Sequence, residues 1–137
     1  MRVIGVISCV VLGCVFLASG ALKSVDARMP VMATAAYDIL PAWTTVLVGA
    51  LLPAIELVVG AALLTGWHRR AAASWAVLLG LVFAAANGTA MSRALLIDCQ
   101  CFGGLGGSSP MIAFLVDATV VVLGVFVFRG SCRRVES

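Results

Sequence analysis

The stretch WTTVLVGALLPAIELVVGAALLTG, residues 43–66, contains one ionisable side chain, Glu56. As an α-helix rising about 1.5 Å per residue it would be about 36 Å long, enough to cross a hydrocarbon layer of roughly 30 Å. Three further blocks read the same way: Val3–Leu22, Ala71–Met91 and Met111–Phe128. Backbone amides exposed to lipid have no water to bond, so each block is expected to close its hydrogen bonds internally as a helix. Composition agrees. Apolar residues make up 63% of the chain and charged ones 11%, against roughly a half and a quarter in soluble domains. Buried helices of a soluble protein would need amphipathic partners to cover them, and no segment is left for that purpose. The sequence therefore predicts an all-α fold, an integral membrane four-helix bundle forming a single domain over residues 1–137.

The net charge of +3 does not indicate a nucleic-acid partner, because the basic residues are scattered at span ends without interleaved aromatics. They report orientation instead. With four alternating helices, Arg2, Arg69, Arg70, Arg129, Arg133 and Arg134 share one side, and Lys23, Arg28 and Arg93 the other. By the positive-inside rule both termini are expected in the cytoplasm, in a multi-pass protein of the cytoplasmic (inner) membrane. Residues 1–22 also resemble a removable signal, but the apolar run is long for a signal core and its loss would misplace the arginines. They are read as the first span.

Between the first two spans lies KSVDARMPVMATAAYDILP, residues 23–41, too long for a tight turn. A short interfacial helix is expected over Met32–Leu40, with Tyr37 at headgroup level. Pro41 and Trp43 open the second span, and Pro53 inside it is expected to bend the helix and free a carbonyl near Gly49. The GWHRR turn, residues 66–70, is short enough to make spans two and three antiparallel neighbours.

Charged side chains in a bilayer cost at least a few kcal/mol, so each needs a partner or a task. Glu56 falls near the middle of its span. Lys23, Asn87 and Asp117 fall in the half of the bundle beneath the connection between the last two spans. Two readings stand side by side. In one, Lys23 neutralises Asp117 while a neutral Glu56 pins a neighbouring helix. In the other, Lys23, Asn87 and Asp117 line a polar pocket in which a carboxyl relays a proton or holds a small ligand, with Glu56 the candidate for proton handling or for pinning a helix.

The connection itself reads LIDCQCFGGLGGSSP, residues 96–110. Cys99 and Cys101 are close enough in sequence to reach disulfide geometry, in a small ring whose strain would make it oxidising. Gly103, Gly104, Gly106 and Gly107 would clear the approach of a partner thiol. Asp98 opposes thiolate formation and Arg93 favours it. A metal site would need more ligands than this, and the sole histidine, His68, is expected across the membrane. Cys9 and Cys14, five apart in the first span, are read as packing residues.

The segments GALKSVD, YDILP, LLPAIELVVGAALL and SRALLIDCQCFGG together resemble the MauE (methylamine utilisation protein) family, within the DoxX-like four-helix membrane group. The most specific piece is DCQCFGG, where Gln100 stands at the central position that is Gly in the family pattern. Lys23, Tyr37, Pro41, Pro53, Glu56, Asp98, Cys99, Cys101, Phe102 and Gly103 fall on matching positions. The resemblance implies a membrane protein that supports maturation of the disulfide-rich small subunit of methylamine dehydrogenase, alongside a thioredoxin-like, MauD-like partner.

The sequence is thus read as a membrane protein whose Cys99 and Cys101 exchange electrons with an extracytoplasmic thioredoxin-like protein, with a quinone near Lys23, Asn87 and Asp117 as a possible cofactor and lipid as the surrounding partner. A small-solute transporter subunit lined by Glu56 and Asp117, and a non-catalytic scaffold braced by a loop disulfide, are the alternatives.

Overall fold

A computed structural model of the chain describes residues 2–26, 28–36, 38, 40–93 and 110–132. The architecture is all-helical: α1 (Arg2–Val25), α2 (Arg28–Ala36), α3 (Ala42–Thr65), α4 (Arg69–Ser92) and α5 (Pro110–Cys132). α1, α3, α4 and α5 are each long and apolar enough to cross a membrane, and together they make this a multi-pass membrane protein. Their outward faces carry large apolar side chains without cover, such as Val58 (65% exposed), Leu81 (53%) and Val122 (68%), as helices surrounded by lipid should.

Helix boundaries follow local chemistry. α3 stops at Gly66, which takes a left-handed conformation (φ 77°) and returns its N–H to the Ala62 carbonyl at 3.1 Å, a glycine C-cap. α2 begins four residues earlier than the expected Met32 because Asp26 Oδ1 accepts the Arg28 N–H at 3.0 Å and opens the turn there. It ends at Ala36, short of the expected Leu40. Hydroxyls within the spans return to their own helix: Ser24 donates to the Gly20 carbonyl (2.7 Å), Thr45 to that of Pro41 (3.1 Å) and Thr119 to that of Leu115 (2.8 Å). Such back-bonding lets a polar residue sit in a span without a tertiary partner.

The bundle is assembled from two close helix pairs. α1 packs most extensively on α3, and α4 on α5, while α1 with α5 and α3 with α4 form the narrower seams. Glycines set the close approach in each pair. A Cβ on Gly60 would lie 2.9 Å from the Gly13 carbonyl oxygen, and one on Gly20 would lie 2.9 Å from that of Pro53. In the second pair, Gly80 accommodates Val121 and Gly124 accommodates Val77. Without a hydrophobic force between helices in lipid, such small-residue contacts supply much of the attraction. α2 rests on α3 where Gly49 meets the Val31 backbone.

These contacts make the pairs antiparallel. The 66–68 turn lies at one end of the bundle with the start of α1 and the end of α5. Arg93 and Pro110, which border the cysteine connection, lie at the other end with Lys23 and α2. The first end is apolar inside, built on Leu12, Phe16, Leu63, Ala73, Ala76 and Val127. The second is polar inside.

Gly60→Val places a branched side chain against backbone, and we expect a destabilisation of about 1–3 kcal/mol, the usual range for overpacking. Gly5→Ala, where a Cβ meets nothing within 4 Å, serves as the control and should leave stability unchanged or slightly raised. Thermal unfolding of the two variants in detergent checks the pair.

Candidate functional site

α1 contributes Ser19 and Lys23, four residues apart and so on one face of the helix. Both point inward toward Glu56 of α3. Lys23 Nζ lies 2.6 Å from Glu56 Oε1, and Ser19 Oγ donates to Glu56 Oε2 at 3.0 Å. Glu56 is 1% exposed and Lys23 7%, so the ion pair is inside the protein. The ammonium also stands 5.1 Å from the centre of the Phe83 ring of α4, a cation–π contact across the seam between the two helix pairs.

The second helix pair holds a matching polar contact. Asn87 Nδ2 of α4 donates to Asp117 Oδ2 of α5 at 2.7 Å, and both residues are buried. Ser19, Lys23, Glu56, Phe83 and Asp117 all line one cavity of about 40 Å³ at the centre of the bundle. That volume suits water-sized guests, since about 10–15 Å³ is enough for one water. It is far below the roughly 300–1,000 Å³ of pockets that enclose organic ligands.

The ion pair differs from the pairing read in the sequence. Lys23 bonds to Glu56, not to Asp117, and Glu56 is no isolated deep carboxyl but part of the same chamber. The reason is the register of α1 against α3: the Gly13–Gly60 and Gly20–Pro53 contacts slide the end of α1 down beside Glu56. Asn87 reaches the chamber through Asp117. Arg93 ends α4 at its exposed C-cap. Asp98, Cys99, Cys101, Phe102 and Gly103 lie outside the described residues, as does Tyr37. Cys9 is buried in the apolar end of the bundle and Cys14 is exposed on the outside of α1.

The family model for the methylamine utilisation protein MauE matches residues 1–130. The chain belongs to that family. Comparison with curated proteins and with solved structures returns no match. The match runs over every helix that builds the chamber of this MauE-family chain, and on through the cysteine connection.

Two chamber residues were missed in the sequence: Ser19 and Phe83. A signal was present for both. Each lies four residues before a polar span residue that was singled out, Lys23 and Asn87, and positions four apart on a helix share a face.

The ion pair generates a stability prediction. Glu56→Leu leaves a buried ammonium unpaired and should cost about 3–5 kcal/mol, whereas Lys23→Met combined with Glu56→Leu removes both charges and should recover most of that loss. Ser19→Ala should cost about 1.5–3 kcal/mol, the scale of a hydrogen bond to a charged group. Unfolding midpoints in nanodiscs, measured for Glu56→Leu, Ser19→Ala and the Lys23→Met/Glu56→Leu double variant, check these three values.

Proposed function

We propose that this membrane protein supports thiol–disulfide chemistry on exported proteins, with Cys99 and Cys101 as the exchanging pair. The observation that carries the reading is the span of the family match: it continues past α4 and through DCQCFGG to residue 130. Position supports it. The connection leaves α4 at Arg93 and rejoins at Pro110, about 9 Å along the helix from Asn87 and about 10 Å from Asp117 at 1.5 Å per residue. The polar chamber is therefore in the half of the bundle where α4 ends and α5 begins.

In this reading both termini are cytoplasmic, since the arginine-rich end of the bundle carries the chain ends. The cysteines then face an oxidising compartment. Exchange runs through a mixed disulfide. A thiolate of a thioredoxin-like partner attacks one sulfur of the Cys99–Cys101 disulfide, breaking that S–S bond and releasing the other cysteine as thiolate. The partner's second thiolate then attacks the mixed disulfide. Two electrons pass from the partner dithiol to the loop, the partner becomes the disulfide, and two protons complete the loop thiols. The reverse sequence oxidises the loop. By the family's description the process served is methylamine utilisation; a MauD-like partner is what the resemblance of the sequence implies.

With Cys101→Ser, the partner should remain trapped on Cys99 as a covalent adduct, visible on a non-reducing gel and released by dithiothreitol. A lane without adduct, from cells that express the partner, would overturn the relay. Labelling of intact cells with a membrane-impermeant maleimide tests the sidedness: loop cysteines should react after mild reduction and be protected before it.

A further inference from the structure

The chamber contains two carboxyls and one ammonium. Glu56 is fully engaged: Oε1 by Lys23 and Oε2 by Ser19. Asp117 is not. Its Oδ2 accepts from Asn87, a neutral donor, and its Oδ1 has no hydrogen bond among the described residues although the side chain is only 6% exposed and borders the cavity. The charged and titratable groups that face it are Lys23 from α1 and Glu56 from α3; α4 presents Asn87, which does not titrate. One ammonium cannot balance two carboxylates, and an uncompensated charge away from water is costly. The remaining charge has to be balanced by a small cation that the cavity can admit. A proton delivered through water meets that requirement at about 40 Å³, and the adjacent Lys23 ammonium disfavours a metal cation.

We propose that Asp117, rather than Glu56, is the carboxyl through which the chamber binds and exchanges a proton. Glu56 is the fixed counter-ion that holds Lys23 in place. Asp117 is the exchanging group, fastened to α4 by Asn87 and open to a water-sized space on its other oxygen. The helix pairs divide these roles between them, since Lys23, Ser19 and Glu56 belong to α1 and α3, and Asn87 and Asp117 to α4 and α5. The proton site stands on this geometry alone. Only its service to the loop cysteines, as acceptor and donor of the thiol protons, rests on the function proposed above.

Infrared difference spectra of the full-length protein in lipid nanodiscs, recorded through a pH titration in H2O and in D2O, test the assignment. The expected result is a carboxylic-acid C=O band that fades as pH rises and moves to lower frequency in D2O. It should vanish in Asp117→Asn, and persist at a shifted frequency in Asp117→Glu, which keeps the acid and guards against a folding failure in the first variant. In Glu56→Gln, Lys23 is released toward Asp117, and the band should fade at lower pH than in the wild-type chain. A band retained in Asp117→Asn, or no titrating band in the wild-type chain, would overturn the proposal. The same measurement on the Cys99→Ser/Cys101→Ser chain separates the two readings. A band that persists there, together with failed partner trapping, leaves the proton site standing and removes only the thiol relay.

Discussion

The ion pair between Lys23 and Glu56 is the constraint on which the inner arrangement of this protein depends. A lysine and a glutamate inside a membrane-spanning bundle are each expensive alone, and they are tolerated because they meet at 2.6 Å with Ser19 on the remaining oxygen. The pair is met at the register that the Gly13–Gly60 and Gly20–Pro53 contacts set between α1 and α3. It also places a positive charge at the centre of the bundle, where Phe83 and the Asp117 carboxyl face it from the other helix pair.

Around that point the bundle divides along its length. One end is closed by small and branched apolar residues, with Ala73, Ala76 and Leu63 in full contact. The other end leaves a polar space beneath the connection between α4 and α5. Glycines make the division possible. Gly13, Gly20 and Gly60 bring α1 onto α3, and Gly80 and Gly124 bring α4 onto α5, so Lys23 meets Glu56 within the first pair and Asn87 meets Asp117 within the second. What remains between the pairs is a narrow seam with a small cavity. A bundle built this way keeps a small polar cavity in one half while the other half stays closed by apolar side chains.

Much of the architecture was legible in the sequence. Four apolar blocks of span length, one carboxyl in the whole of residues 43–66, and a glycine after the last apolar residue of that block dictated the spans and the turn at 66–68. The polar span residues Lys23, Glu56, Asn87 and Asp117 stood out for the same reason that they matter: lipid gives a charged or amide side chain nothing to bond. The beginning of α2 was less legible, because the capping role of Asp26 depends on where the chain turns and not on the pattern of apolar residues.

The sequence by itself determined that this chain carries four helices long and apolar enough to cross a membrane, and which polar side chains would need partners, since both follow from length and hydropathy alone. Which partner each would find was decided only in the folded bundle. Lys23 lies between two carboxyls on different helices, and its choice of Glu56 over Asp117 depends on the register of α1 against α3, set by glycine contacts between residues more than thirty positions apart. Pairing across helices is a matter of axial alignment to within a single turn, and hydropathy carries no information on that scale.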